Sequence, residues 1–395
     1  RDRSPSRGLG DVYKRQATFS LVALFAVSSA PVPMFGLLQT ELAMSSSDLA
    51  MTAVSYFAGC IPALLFLSRL PNCLGRKIMV SLALTIGLTS ALLLANADAV
   101  GDVLLARLMQ GIACGLASSS AMAWMFDAAP SHRRSLAAAL SAGSPGIGFL
   151  FGALASAALN ELFDLSLQSI FYALSCFLTL ALVAVLFGKE TVNRNFRTAL
   201  KAMIPTVEVP TRLRAAYVLA VLAYAGTWGV GGFFQAYSAQ IATDALHSTS
   251  TLTAAFVFLS FIGTNAFGGF FASRLAALSA LRVFMGLFLL AVVCMFVGLN
   301  VGFVTIFFVF SVIGGVCVGA VCASALRLLT QDANSGERSS LLAAVYLAAY
   351  LGPGLPNLAF GLWLTSMSVT QMSFFYSVWA LVFSAAAWGF SRRLG

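Results

Sequence analysis

Twelve stretches of apolar residues follow one another along this chain, separated by short polar segments. Each stretch has about the 20 residues that an α-helix needs to cross the hydrocarbon core of a bilayer. The pattern therefore predicts twelve membrane-spanning helices, numbered here as spans 1 to 12. The predicted spans cover residues 18–38, 48–70, 78–97, 100–127, 135–159, 168–188, 215–241, 250–272, 283–300, 302–329, 339–363 and 370–390.

The polar segments alternate between two kinds, one rich in Lys and Arg and one that contains neither. Cytoplasmic loops carry the excess of basic residues in membrane proteins, so the basic segments are assigned to the cytoplasmic side. This predicts a multi-pass membrane protein with both termini in the cytoplasm. The basic segments contain Arg69, Arg76 and Lys77, then Arg133 and Arg134, Lys189 to Arg214, Arg274 and Arg282, Arg338, and Arg392 and Arg393.

Composition supports this interpretation, since 59% of the residues are hydrophobic and only 9% are charged. A soluble domain does not have such a composition. The formal net charge of +9 is explained by basic loops that face an anionic leaflet, so no nucleic-acid partner is predicted. The seven cysteines form neither a metal-ligand cluster nor a plausible disulfide pair, and no metal or other cofactor is predicted.

Short sequence matches recur at a nearly constant separation and predict an internal repeat. The two halves cover residues 17–188 and 215–395, joined by a cytoplasmic linker at 189–214, while residues 1–16 are set apart as a leader that is non-native or disordered. Parallel repeats of this kind occur in secondary transporters. The matches pair Ser68–Leu70 with Ser273–Leu275 and Asp127 with Asp332 at an offset of 205, and RRSLAAAL at Arg133 with ERSSLLAAV at Arg338 and Gly148 with Gly352 at an offset of 204.

Three motifs connect the chain to a known family. The segment SRLPNCLGRK follows span 2, RLMQGIACG lies in span 4, and SAGSPGIGFLFGAL lies in span 5. Together with the two parallel halves, these motifs resemble the major facilitator superfamily from Ala17 to the C-terminus. The resemblance implies an all-α fold of two pseudo-symmetric six-helix bundles, a monomer, and alternating access to a site at the membrane midplane.

The first motif resembles the family's loop between helices 2 and 3, which is associated with gating. Gly75, Arg76 and Lys77 match it, and Arg76 is predicted to pair with Asp127 at the end of span 4. Anchoring in the anionic interface is the alternative role, for Lys77 in particular. The chain departs from the family at Ser68, Asn72 and Cys73, which replace Gly, Asp and Arg.

The second motif places Arg107 inside span 4, followed by Gln110, Gly111 and Gly115. An Arg within hydrocarbon costs at least a few kcal/mol and indicates a functional site. The alternative is that Arg107 extends to the outer interface. Gly111 and Gly115 form a small-x-x-x-small face that favours close helix packing.

The third motif resembles the glycine-rich helix 5 of the family's drug and proton antiporters, although Ala153 stands where those proteins have Pro. Bends and close packing are predicted in span 5 and again in span 11. The predicted hinge and packing residues are Pro145, Gly148 and Gly152 in span 5, and Gly352, Pro353 and Pro356 in span 11.

All fourteen carboxylates lie in loops, in the leader or near span ends, whereas proton relays need an acidic or His residue within the membrane. Three interpretations are therefore open. Coupling uses a span-end acid such as Asp48, Asp102 or Asp127, or the substrate carries the charge, or transport is facilitative.

Polar and aromatic side chains near the middle of spans are the candidates for substrate binding. A mostly apolar pocket with a few such groups suits a small amphipathic molecule. Besides Arg107 and Gln110, the candidates are Ser28, Tyr56, Trp228, Gln235, Asn265, Tyr346, Tyr350 and Asn357.

These observations and the resemblance favour a secondary transporter of a bacterial-type inner (plasma) membrane that exports a drug-like compound or metabolite. Uptake of a sugar or organic anion is the alternative within the class, and a receptor or other non-transport membrane protein is the alternative outside it. No Walker-type loop or nucleophile motif indicates a pump or an enzyme. The expected partners are the lipid bilayer, a small-molecule substrate and, in the coupled interpretations, protons.

Overall fold

The computed structural model describes residues 5–128, 134–192, 194–196, 199–204, 209–331, 333–363 and 367–394, and in these residues the regular structure is helical throughout. Sixteen α-helices are described, together with π-helical turns at Ala63–Leu67 and Ile241–Ala245. The helices are α1 (Pro5–Ser29), α2 (Pro31–Leu42), α3 (Ser46–Pro62), α4 (Pro71–Leu74), α5 (Arg76–Ala95), α6 (Val100–Ala128), α7 (Arg134–Phe163), α8 (Leu167–Leu186), α9 (Ala199–Ala202), α10 (Arg214–Gln240), α11 (Thr251–Ile262), α12 (Asn265–Ala272), α13 (Ala277–Val301), α14 (Val304–Thr330), α15 (Ser335–Trp363) and α16 (Val369–Ser391).

The predicted all-α membrane fold is confirmed. Among the described residues, eleven helical segments are long and apolar enough to cross a membrane, and they correspond to every predicted span except span 11. Span 11 is the 29-residue helix α15. Span 1 consists of α1 and α2, span 2 of α3 and its π-helical turn, and span 8 of α11 and α12. Helix α1 begins at Pro5, so residues 5–16 of the leader are helical.

Several matched positions of the two sequence halves adopt matched structures. Ser45 and Ser250 precede α3 and α11, and their hydroxyls accept from the backbone N–H groups of Asp48 at 3.2 Å and Thr253 at 3.1 Å. Such serines satisfy N–H groups that a helix start leaves without partners. Ala43 and His247, at an offset of 204, both have a positive φ, 50° and 52°.

A hydrogen bond between a basic side chain and a helix-terminal carbonyl also occurs at matched positions of the two halves. Lys77 Nζ donates to the Leu186 carbonyl at 2.6 Å, and Arg282 Nη2 donates to the Ser391 carbonyl at 2.5 Å. Both the donors and the acceptors are separated by 205 residues. A basic side chain from the third span of each half therefore satisfies a terminal carbonyl of the sixth. Asp332 and Arg133, which also entered the repeat, lie outside the described residues.

By their contacts the residues form two compact units. Unit 1 comprises Arg1–Pro31 and Ala58–Pro205, and unit 2 comprises Val32–Phe57 and Thr206–Gly395. The chain passes from one unit to the other within spans 1 and 2. Helix α2 and most of α3 thus pack with the second unit, although the sequence repeat assigns them to the first half. The predicted domain boundaries stay a prediction.

Candidate substrate and gating sites

The first candidate site is built around a break in span 1. Proline carries no N–H, so Pro31 leaves the Val27 carbonyl without its helical donor, and Pro33 does the same to Ser29. Helix α1 accordingly ends at Ser29, and α2 begins at Pro31. A carbonyl left open at this depth must find a donor elsewhere in the protein.

Span 4 supplies the donors. Gln110 Nε2 donates to the Val27 carbonyl at 3.1 Å, and Arg107 Nη1 donates to the Ser28 carbonyl at 2.6 Å and to Gln110 Oε1 at 2.7 Å. Arg107 is 0% exposed and Gln110 is 1% exposed. Arg107 therefore does not extend to the interface. It lies inside unit 1 against the broken helix.

Span 5 packs against the same break. Ser156 Oγ donates to the Ala30 carbonyl at 2.9 Å, and Ser29 Oγ donates to the Phe149 carbonyl at 3.0 Å. A Cβ at Gly148 would lie 2.6 Å from Phe25 Cβ, and one at Gly152 would overlap the Ala26 carbonyl. Both glycines are thus needed for the close approach of spans 1 and 5.

The second candidate site is a cluster of aromatic rings in unit 2, which we call the aromatic wall. The rings of Trp228 and Tyr350 meet edge to face, with centroids 5.6 Å apart. The ring centroid of Tyr224 lies 5.7 Å from that of Trp228, and the ring centroid of Phe57 lies 6.0 Å from that of Tyr350. The wall consists of Phe57, Tyr224, Trp228 and Tyr350, which these contacts join, and of Tyr346, which lies one helical turn before Tyr350 in α15.

Cys322 of span 10 holds two of these rings. Trp228 Nε1 donates to Cys322 Sγ at 3.1 Å, and Tyr224 Oη donates to the Cys322 carbonyl at 3.4 Å. Trp228, Tyr346 and Tyr350 were predicted as binding residues, whereas Phe57, Tyr224 and Cys322 were not. Only their proximity to Trp228 and Tyr350 in the structure identifies them, because nothing in the local sequence distinguishes them from packing residues.

Three further binding candidates, Tyr56, Gln235 and Asn357, are buried in unit 2, whereas Ser28 lies in unit 1 and is 1% exposed. Tyr56 is 3% exposed, and its ring contacts that of Phe57 at 5.5 Å. Gln235 is 9% exposed. Asn357 Nδ2 donates to the Pro353 carbonyl at 2.8 Å, and its Oδ1 accepts from Tyr376 Oη at 2.9 Å.

Asn265 stabilises the packing of spans 8 and 10. In the amide orientation that satisfies both groups, its nitrogen donates to the Gly315 carbonyl at 2.7 Å and the Phe261 carbonyl at 3.0 Å. Protein groups therefore supply the partners that an amide requires within hydrocarbon. A role of Asn265 and Asn357 in substrate binding stays a prediction.

The third candidate site is the loop of unit 1 between spans 2 and 3, for which the sequence predicted a role in gating. Arg76 Nε lies 3.0 Å from Asp127 Oδ2. Gly75 has φ 110°, a conformation that favours glycine. Lys77 Nζ binds the Leu186 carbonyl instead of a carboxylate.

Glu190 completes this loop, and the sequence analysis did not single it out. Its Oε1 accepts from the backbone N–H of Arg76 at 2.7 Å and of Thr191 at 3.0 Å, and its Oε2 accepts from that of Lys77 at 3.2 Å. A carboxylate at a helix N-terminus is stabilised by the helix dipole. The signal available in the sequence was a single acid directly after span 6, at the start of a basic connector.

Comparisons with known proteins agree with this architecture. The family model described as Major Facilitator Superfamily matches residues 17–356. This chain belongs to the major facilitator superfamily. No curated protein matches it.

Solved structures of superfamily transporters share the fold. The crystal structure of a D-xylose–proton symporter matches with a TM-score of 0.76 and 15% identity, over 96% of this chain and 97% of that one. A bacterial homologue of the human lysosomal transporter Spinster, in an inward-facing and unoccupied conformation, matches with a TM-score of 0.73 and 13% identity, over 99% and 98%. At these identities the likeness shows the superfamily fold alone.

In this superfamily member, two carboxylates that were predicted to couple transport accept hydrogen bonds at the starts of helices. Asp48 Oδ2 accepts from the Ser45 backbone N–H at 2.8 Å and the Ser45 hydroxyl at 2.7 Å. Asp102 Oδ2 accepts from the backbone N–H groups of Asp98 at 3.1 Å and Ala99 at 3.0 Å. Their coupling role stays a prediction.

The predicted hinge residues of this superfamily member lie within long helices. Pro145 is inside α7, and Pro353 and Pro356 are inside α15. A Cβ at Gly352 would lie 3.0 Å from Ala225 Cα of span 7, and one at Gly115 would lie 2.8 Å from Ala63 Cβ. Gly111 accepts a hydrogen bond from Cys60 Sγ at its carbonyl, at 3.2 Å.

Proposed function

We propose that this superfamily member is a secondary transporter that exports a small organic solute carrying an acceptor or anionic group. The buried Arg107, bound to the broken helix of span 1, carries this proposal. An Arg within the membrane is costly and marks substrate or ion pathways. Its fixed fork of N–H donors suits carboxylate, phosphate and carbonyl oxygens.

The cellular setting is part of the proposal. The alternation of basic and Lys- and Arg-free loops supports an inner-membrane protein with both termini in the cytoplasm. The likeness of the glycine-rich span 5 to antiporters supports export, and a monomer is what the family resemblance implies. The charge of Arg107 also supports one alternative, the uptake of an organic anion by the same fold.

We infer that the substrate, rather than a protein carboxylate, carries the charge that couples transport. Asp48 and Asp102 each bind backbone N–H groups at a helix start, and Asp127 pairs with Arg76. Protonation of any of the three would weaken these structural bonds. Flux that follows the membrane potential but not the pH gradient, measured in proteoliposomes, would support this inference.

The main test is the substitution of Arg107. Arg107→Ala removes a hydrogen-bonded charge, for which about 1.5–3 kcal/mol is typical, so we expect flux of an organic-anion panel to fall by roughly 10- to 100-fold. Arg107→Lys keeps the charge but loses the fork and should retain part of the flux.

The control is Arg392→Ala, at an exposed position near the C-terminus. Membrane insertion and thermal unfolding of each variant show that the protein is intact. Unchanged flux in well-folded Arg107→Ala protein contradicts the proposed role.

A further inference from the structure

The aromatic wall has rigid rings. The indole of Trp228 is fixed by its bond to Cys322 Sγ at 3.1 Å, and Tyr350 meets it edge to face at an interplanar angle of 86°. Aromatic pairs prefer this geometry, and it adds stability beyond the burial of their surface. These contacts fix the orientation of the Trp228 and Tyr350 rings relative to each other.

The wall belongs to the interior of unit 2. Its side chains come from spans 2, 7 and 11, and span 10 holds Trp228 and Tyr224. A ring that faces lipid would contact at most its immediate neighbours. Contacts with four spans place these rings on the inner faces of their helices.

The wall is nevertheless accessible. Tyr346 is 39% exposed, and Trp228 and Tyr350 are partly exposed. Buried packing residues of the same unit, such as Tyr376 and Tyr237, are 0% exposed. Part of Trp228, Tyr346 and Tyr350 thus remains open, whereas Phe57 and Tyr224 are 5% exposed and form the buried base of the wall.

The exposed side of Tyr346 does not face the lipid. Four leucines mark the lipid side of span 11. With about 3.6 residues per helical turn, Tyr346 lies roughly 120° to 180° around the helix from each of them. Span 11 thus has two exposed faces, one aliphatic and one aromatic. The leucines and their exposed fractions are Leu351 37%, Leu355 48%, Leu358 39% and Leu362 55%.

We propose that the aromatic wall binds a planar aromatic ring of the transported solute. A flat ring can stack on Trp228 while it meets the edge of Tyr350, and the tyrosine hydroxyls can bind polar substituents. This deepens the proposed function, on which it rests, by naming the ring as the second recognised part of the substrate. The acceptor or anionic group is the first.

The test uses matched neutral probes. Benzamide and 1-naphthamide are compared with cyclohexanecarboxamide, which has the same amide on a saturated ring, by ligand-observed NMR with the full-length protein in lipid nanodiscs. We expect saturable binding of the aromatic amides and at least about threefold weaker binding of the saturated one. The Trp228→Leu substitution should weaken the binding of 1-naphthamide about three- to tenfold.

Trp363→Leu is the control, because Trp363 is 81% exposed and not part of the wall. Trp228→Phe keeps a ring and should retain most of the binding even where Trp228→Leu protein is unstable. Equal affinity for aromatic and saturated amides, or unchanged affinity in folded Trp228→Leu protein, overturns the proposal. So does the absence of saturable binding by both aromatic amides.

Flux measurements separate this inference from the proposed function. If Arg107-dependent flux is present but the amides show no wall-dependent binding, the aromatic wall is not a binding surface and the transporter proposal stands. If the amides bind through Trp228 but no solute in the panel is carried, the binding surface stands and the transporter proposal fails.

Discussion

At the scale of single residues, Pro31 determines where the Gln110 amide binds. Because Pro31 has no N–H, the Val27 carbonyl accepts from Gln110 Nε2 at 3.1 Å. Pro31 and Gln110 are on different spans and 79 positions apart in the sequence. An open carbonyl costs several kcal/mol in a bilayer, so this bond stabilises the break in span 1 and the position of Arg107.

We expect Gln110→Leu to lower the free energy of unfolding by about 1–3 kcal/mol, since it leaves a buried carbonyl without its donor. In a Pro31→Ala background the loss should be smaller, because residue 31 then has an N–H that can bond to Val27. Thermal unfolding of the wild type, both single variants and the double variant gives the coupling free energy between positions 31 and 110. Additive losses would contradict this assignment.

At the scale of secondary-structure elements, the start of span 3 depends on a residue that follows span 6. Gly75 precedes α5 with φ 110°, and a Cβ on it would overlap Glu190 Oε2. Glu190 in turn accepts from the Arg76 and Lys77 backbone N–H groups. The carboxylate therefore acts as an N-cap supplied by another element, and it orients Arg76 towards Asp127.

Glu190→Ala should lower the unfolding free energy by about 1 kcal/mol, a typical loss for a helix cap. Glu190→Gln keeps one acceptor oxygen, so its free energy of unfolding should lie between those of Glu190→Ala and the wild type. Glu41→Ala, at an exposed position in the last turn of α2, is the matched control. Melting temperatures in detergent measure the effect, and a Glu190→Ala protein no less stable than the control would refute the capping role.

At the scale of the whole molecule, residues 32–57 pack with the second unit. Gln240 Nε2 of span 7 donates to Ser46 Oγ of span 2 at 3.0 Å. A Cβ on Gly36 of span 1 would lie 3.8 Å from Ala239 Cβ of span 7. Alternating access between two six-helix halves, which the family resemblance implies, would require these contacts of spans 1 and 2 with span 7 to open once per turnover.

A disulfide between cysteines at positions 36 and 239 should therefore block transport. The separation of 3.8 Å is within the Cβ–Cβ range of about 3.5–4.5 Å that disulfides need. We expect the Gly36→Cys/Ala239→Cys protein to lose flux on oxidation and to recover it with a reductant. The single variants control for the seven native cysteines, and full flux with the bond formed would sink the idea that these contacts open.

The sequence by itself determined the fold class, the membrane spans and the family. Hydrocarbon imposes length and apolarity on each helix, so these features are local and can be read directly. The Arg107 and Gln110 pair was also recognisable, because a polar group inside a span is conspicuous. Gly75 and the glycines of span 5 were recognisable from spacing and motif.

Only the tertiary structure decided which groups these residues meet. The contacts of Glu190 with Arg76, of Trp228 with Cys322 and of Gln110 with Val27 join residues 114, 94 and 83 positions apart. Helix periodicity assigns a face to each side chain but not the neighbour opposite it. For the same reason the sequence could not show that the carboxylates of Asp48 and Asp102, which were predicted to couple transport, accept hydrogen bonds at the starts of helices. The grouping of residues 32–57 with the second unit likewise depends on packing between helices.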